Sequence, residues 1–297
     1  MDKSILLIGG TNIDYLATSN NKLIKHSSNP GTLTISYGGV MRNVCENLAR
    51  IGNKCYFLTA VGQDLYGKQI IDYMNNLSVE MISPTTNLPT SSYIAINDNN
   101  HDMDEGINDM RIMDEINARF LESYSPLIKN HEYVICDSNL SLEAIDYLFS
   151  SFKNQKFLVE GISASKIIKY KNHLKDIYML KCNIYEARAL FNNELDAISL
   201  VKMALDSGIK TAIITQGKDC IIYGEHNKVA SIAVKRVDNI SGNTTGCGDA
   251  LFAGIIDHYI EGKSLKDSII FGQKLSILTL ETFKAVNETI SSLSYNH

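Results

Sequence analysis

Asn243-Thr244-Thr245-Gly246-Cys247-Gly248-Asp249 runs directly into an apolar stretch, Ala250 to Gly262. With Gly242, three glycines crowd the turn that opens it. Glycine lets a backbone turn sharply and lets a ligand come close. A helix start offers unpaired N–H groups and the positive end of the helix dipole, which suits an anion. An aspartate beside such a cradle can orient and deprotonate an attacking hydroxyl. The stretch predicts a phosphoryl-transfer site at the start of an amphipathic helix. Asp and Thr are also ordinary caps, and Gly an ordinary turn residue. A cap needs one such residue, whereas this turn holds three glycines, two threonines and an aspartate.

The rest of the chain supplies a frame for that site. Its 297 residues suffice for one large α/β domain or two average ones, with a sizeable core. The apolar fraction of 44% and charged fraction of 21% are those of a globular protein. Net charge is −5 with acids and bases interspersed, so neither a nucleic-acid stripe nor a solvating acidic arm is expected. The first apolar run, Ile5-Leu6-Leu7-Ile8, is too short for a signal peptide or a membrane span. A cytoplasmic protein without membrane partners is expected. Six cysteines lie scattered without a CxxC pair, which predicts neither a zinc site nor a disulfide framework. Cys247 differs from the others by its place in the glycine turn, where a helix start would lower its pKa. A catalytic thiol is the minor alternative, since it would want a histidine nearby.

Short apolar runs alternate with helical patterns. Ser4–Ile8, Cys55–Val61, Tyr133–Cys136, Phe157–Val159, Ile177–Leu180 and Thr211–Thr215 read as buried strands. Val40–Ile51 and Leu65–Leu77 read as helices, the first with Val40, Val44, Leu48 and Ile51 on one face. This alternation predicts a parallel sheet covered on both faces. Tyr15–Tyr37 and Thr90–Ile107 instead alternate polar and apolar residues, as strands with one solvated or ligand-facing side do. They predict a small β-sheet lid, with a pair of plain surface hairpins as the alternative. Cys220–Tyr223 and Lys228–Val234 read as a hairpin just before the glycine turn. Gly9-Gly10 after the first strand does not match GxGxxG, and no Walker A sequence occurs. A nucleotide would need a different cradle, and the glycine turn offers one.

Gly38-Gly39-Val40-Met41-Arg42-Asn43 forms a second constellation between an alternating strand and a helix. The double glycine permits close approach, and Asn43 brings a donor and an acceptor to the first helical turn. A tight strand–helix turn would account for it equally well. Taken with Asn243–Asp249, it resembles the ribokinase-like (PfkB) carbohydrate kinase family, which pairs a Gly-Gly signature with a late D-T-x-G-A-G-D motif. Gly10-Thr11-Asn12-Ile13-Asp14, Gly62-Gln63-Asp64-Leu65-Tyr66-Gly67, Lys181-Cys182-Asn183-Ile184-Tyr185-Glu186 and Thr215-Gln216-Gly217 match further family motifs in order. Within the family, the run from Gly38 to Gly52 is similar to that of the members acting on pseudouridine, as are Thr90–Ile96, Asn139 and Ala285-Val286-Asn287.

The resemblance implies one α/β domain over residues 1–297, a ribokinase-like three-layer α/β/α sandwich with lid segments at about 15–37 and 90–108. It implies transfer of the ATP γ-phosphate to the 5′-hydroxyl of pseudouridine. Other nucleosides or sugars (ribose, adenosine, fructose) and a non-catalytic nucleoside-binding regulator stand as alternatives. Asp249 would be the base, and the N–H groups of Gly246, Cys247 and Gly248 an anion hole. Asn12, Asp14, Gly38, Gly39, Asn43 and Asn139 would hold the substrate. Asn183, Thr215 and Gly217 would border ATP, and Glu186 would hold Mg²⁺ through water. Asn243 stands where the family often has Asp, which leaves K⁺ activation open. A homodimer through the lid is implied as well. At a helix N-terminus, Asp249 is expected to stay ionised.

Overall fold

The computed structural model describes residues 4–295 except 101, 236 and 238–243. In chain order the strands are β1 (Ser4–Ile8), β2 (Asn12–Ser19), β3 (Gly31–Gly38), β4 (Lys54–Leu58), β5 (Val79–Ile82), β6 (Ser92–Asn97) and β7 (Met103–Asp109). They continue with β8 (Tyr133–Asp137), β9 (Lys156–Glu160), β10 (Ile177–Asn183), β11 (Thr211–Thr215), β12 (Cys220–Glu225) and β13 (Lys228–Ala233). Among the described residues a large sheet runs β13-β12-β11-β10-β9-β8-β1-β4-β5, and a separate one runs β3-β2-β6-β7.

The large sheet is parallel from β5 to β11 and turns antiparallel at the β12–β13 hairpin. Its strands are apolar on both sides because both sides are covered. Leu6, Ile8, Val134 and Val159 pack on one face beneath the helices Leu142–Ser151, Ile184–Phe191 and Ala197–Asp206. Ile5, Leu7, Phe57 and Leu158 pack on the other, beneath Val40–Arg50, Leu65–Asn75, Cys247–Ile260 and Leu265–Thr279. This is the ribokinase-like α/β sandwich. The helix Cys247–Ile260 is not amphipathic as expected. Every residue from Asp249 to Ile256 is buried, because the helix lies between the sheet and the helix Leu265–Thr279. Strand β5 has no counterpart in the sequence reading; its four residues, Val79–Ile82, are too few to show a period.

The small sheet is the lid. It starts earlier than the alternation suggested, at Asn12, because β2 follows β1 after only three residues, 9–11. Pairing registers fix its two faces. Asp14, Ser36 and Tyr93 share one face; Tyr15, Ile35, Ile94 and Ile107 share the other. At its base the second face leans on the body, with Tyr15 edge-on to Tyr66 at 6.0 Å and Tyr37 against Tyr73 at 5.1 Å. Asp64 ties the two parts together. It caps the helix Leu65–Asn75 through Gly67 N–H at 2.8 Å and accepts Thr90 N–H, just before β6, at 2.7 Å.

The helix Cys247–Ile260 has to be clamped between sheet and helix for the glycine turn to be held. Phe252→Ala, at a fully buried position, should cost about 3–5 kcal/mol, read as a lower urea midpoint with an unchanged slope.

Candidate active site

The site begins where β1 ends. The chain crosses Gly9-Gly10-Thr11 into the lid strand β2, and β3 returns over the same point through Gly38-Gly39. Gly39 sits at φ +99°, and a side chain there would lie 2.6 Å from the Gly10 carbonyl oxygen. A Cβ on Gly38 would meet the Asp14 carboxylate at 2.2 Å, and one on Gly10 would meet Asn139 Nδ2 at the same distance. The glycines therefore let three strands converge on Asp14 and Asn139. Asn12 donates to Asp14 Oδ1 at 2.5 Å. Burial raises the Asp14 pKa, opposed by the Asn12 bond and the nearby Arg42 charge. Asn139 is anchored from the core. Its N–H donates to the buried Asp137 at 2.9 Å, and Lys166 Nζ donates to its Oδ1 at 2.7 Å.

Asn43, in the first turn of the helix Val40–Arg50, donates through Nδ2 to Asp249 Oδ2 at 2.7 Å. This bond joins the two glycine constellations across 206 residues. Arg42 holds Asn43 from behind. Its guanidinium reaches Asn43 Oδ1, the Gly38 carbonyl at 3.1 Å, the Tyr37 carbonyl at 2.9 Å and the Glu46 carboxylate. Glu46 also accepts from Arg50 at 2.9 Å and from the Tyr73 hydroxyl at 2.6 Å. A fixed network thus stands under the hinge between lid and body.

Asp249 is 8% exposed. Its carboxyl pKa is raised by burial, with the Asn43 bond and the Lys181 and Arg42 charges pulling it back. Desolvation thus acts against the helix start, which by itself would hold the carboxyl low. Gly246 caps the helix at φ +81°, where any side chain would strike the Ala285 carbonyl oxygen at 1.9 Å. The N–H of Cys247 makes a long bond, 3.3 Å, to the Thr244 carbonyl. The Cys247 thiol is half-buried, and burial together with the Asp249 charge pushes its pKa up to about 11. That reverses the lowered pKa expected of a helix start and removes the reason for a catalytic thiol. Asn243 lies outside the described residues. A cleft of about 590 Å³ opens between lid and body here, lined in part by Asp14, Ser36, Arg42, Tyr93, Thr245 and Ala285.

The remaining predicted residues cluster at the ends of β10 and β11. Asn183 and Thr215 sit side by side in register. Asn183 and Glu186 form a capping box for the helix Ile184–Phe191, with Asn183 Nδ2 on Glu186 Oε1 at 2.6 Å and Asn183 N–H on Oε2 at 2.9 Å. Thr215 Oγ1 reaches the Cys182 carbonyl at 3.5 Å, and Gly217, at φ +62°, lies exposed in the following turn with open space where a side chain would be. No cluster of three metal-ligating side chains occurs among the described residues. Mg²⁺ that arrives with nucleotide keeps most of its waters and needs few protein ligands. Glu186, with both oxygens already accepting, has lone pairs left for a metal-bound water, so the donor set fits outer-sphere binding only.

The structure thus brings Asn12, Asp14, Gly38, Gly39, Asn43 and Asp249 into one group, and Asn183, Glu186, Thr215 and Gly217 into another. The sequence reading gave no role to Lys181, Glu160, Asp137 or Lys166. A lone charge at the end of a buried run, as in Ile177–Asn183 or Lys156–Glu160, was the available signal.

The model of the pfkB family carbohydrate kinases matches residues 2–291. The chain belongs to this family. It is a phosphotransferase acting on a hydroxyl group. A pseudouridine kinase of Escherichia coli (strain K12) is 31% identical, over 97% of this chain and 93% of that relative. A putative sugar kinase from Clostridium perfringens superposes with a TM-score of 0.83 at 29% identity, covering 98% of this chain and 95% of the other. The fold is also that of an Arabidopsis thaliana ribokinase solved with ribose and ATP, with a TM-score of 0.81 at 15% identity and coverage of 100% of both chains. No helix among the described residues is long and apolar enough to cross a membrane.

Were Asp249 the base, activity would fall as pH drops through its pKa, since a base must be deprotonated to act. Because burial raises that pKa, the acid limb of kcat/KM should lie above the ordinary carboxylate range near 4. A kcat/KM–pH profile measures it; a limb at or below 4 would contradict the assignment.

Proposed function

We propose that the chain transfers the γ-phosphoryl group of ATP to the 5′-hydroxyl of pseudouridine, as a single ribokinase-like domain whose segments at about 15–37 and 90–108 act as the lid. The observation that carries this reading is the Asn43–Asp249 bond beside Asp14. It sets a buried carboxylate next to acceptors and donors suited to a ribose diol. The pseudouridine kinase relative supports the choice of nucleoside.

In this reading Asn12, Asp14, Gly38, Gly39 and Asn43 hold the ribose hydroxyls, and Asn139 reaches the substrate from the core. Asp249 takes the 5′-hydroxyl proton as the oxygen bonds to the γ-phosphorus and the bond to the bridging oxygen of ADP breaks. The raised pKa of Asp249 suits it to hold that proton. The N–H groups of Gly246, Cys247 and Gly248 receive the charge on the moving group, which Cys247 does by giving up its long bond to Thr244. Asn183, Thr215 and Gly217 border the nucleotide, and Glu186 carries Mg²⁺ through water. The metal ion supplies charge neutralisation on the phosphates. A closed lid keeps water from the γ-phosphate.

Incubation with Mg-ATP and a panel of pseudouridine, uridine, adenosine, ribose and fructose should give the dominant rate on pseudouridine, followed by ADP release and product mass. A higher kcat/KM on any other member sinks the substrate assignment. Asp249→Asn should lower kcat about 10²–10⁴-fold while calorimetry finds nucleoside affinity nearly intact.

The same reading pairs two copies through the lid. Leu33, Ile35 and Ile107 stand 61%, 47% and 64% exposed on the lid face turned away from Asp14. Such an apolar face favours burial against a copy of itself. Sedimentation equilibrium should give two chains of 33.0 kDa for the protein and one for Ile35→Lys.

A further inference from the structure

Lys181 is a buried charge to which the proposed function assigns no role. It lies in β10, 5% exposed, directly in register with Glu160 of β9. Its Nζ pairs with Glu160 Oε1 and donates to the Gly248 carbonyl at 3.2 Å. Glu160 is itself 2% exposed, and its Oε2 has no hydrogen-bond partner among the described residues. Burying such a pair costs desolvation that the pair's attraction rarely repays beyond what apolar residues would give. The contact with Gly248 is the distinctive feature. A first-turn carbonyl of the helix Cys247–Ile260 is held by a cation rising from the sheet. A Cβ on Gly248 would come within 3.1 Å of Nζ, so the glycine allows the ammonium this close.

We propose that Lys181 is a positioning residue for phosphoryl transfer: it ties the glycine turn to β10 through the Gly248 carbonyl and places a buried positive charge behind the turn, with Glu160 fixing the ammonium. The inference rests on Asp249 and the glycine turn being the reaction centre. A preorganised cation in a dry site acts on charge that develops in the transition state more than on ground-state binding. Asp249 is faced by Arg42 from the helix Val40–Arg50, Lys181 from β10 and Asp137 from β8, with the Asn43 amide bonded to it. Glu160 and Glu186 add negative charge around Lys181. Loss of Lys181 therefore removes one of two cations that help keep Asp249 ionised.

Lys181→Met should lower kcat about 100-fold, with nucleoside KM little changed, and should move the acid limb of kcat/KM to higher pH. Glu160→Gln removes a negative charge from the same cluster and should move that limb to lower pH. Opposite shifts would not follow from a merely structural role. Because Lys181→Met strands a buried carboxylate, the double variant Lys181→Met/Glu160→Gln serves as the folded control. It should melt no lower than the parent protein yet keep the kcat deficit. A folded double variant with parental kcat overturns the proposal, as do limbs that stay in place in both single variants. Asp249→Asn run in parallel separates the failures. If it stays active, the reading of the reaction centre falls and this inference with it. If it is inactive while Lys181→Met keeps parental kcat and acid limb, only the role of Lys181 falls.

Discussion

The hydrogen bond from Asn43 to Asp249 is the contact on which the site depends. It joins the N-termini of two helices that lie against the same face of the sheet. One of those helices begins at the lid hinge and the other at the glycine turn. A bond between two buried groups is strongly held, because breaking it leaves both polar atoms without water. Lid geometry and the position of the carboxylate are therefore set together. Arg42 reinforces this by bonding Asn43 and the last two carbonyls of β3 at once.

Around that bond the structure gathers charge where a parallel sheet can host it. Asp137 and Glu160 end their strands, Lys181 lies two residues before the end of β10, and Asp249 and Glu186 stand in the first turns of helices. Buried carboxylates are costly, and burial raises the pKa of Asp14, Asp137, Glu160 and Asp249 alike. Arg42, Lys166 and Lys181 offset part of that cost. The result is a set of buried carboxylates whose pKa values desolvation pushes up and neighbouring cations pull back. Exposed acids, such as Asp109 with its pKa lowered to about 2 by Arg111, behave in the opposite way.

Much of the fold was legible because each strand is short, apolar and bounded. Ser4–Ile8 and Thr211–Thr215 carry the same limits in sequence and structure. Periodicity failed where burial is uniform. The helix Cys247–Ile260 shows no clear stripe because both its sides are covered. Chemistry failed where a local rule met a tertiary one. A helix start lowers the pKa of an exposed acid or thiol, but Asp249 and Cys247 are enclosed by Asn43, Lys181 and the next helix, and desolvation wins. Lys181 and Glu160 went unassigned because each looks like an ordinary strand-end charge until the strands are laid side by side.

The sequence alone determined most of the sheet's strands, the helices Val40–Arg50 and Leu65–Asn75 to within two residues, the two glycine constellations and the family, since those rest on residue type and spacing along one chain. It also named Asp249, Asn43 and Asp14 as the residues to watch. Only the tertiary structure decided that Asn43 touches Asp249, that Arg42 stands behind both, and that Lys181 reaches the Gly248 carbonyl. The first and last of those contacts link residues 206 and 67 positions apart. Distance through space and exclusion of water arise only when the sheet forms and brings the strand ends together, so no local pattern can encode them.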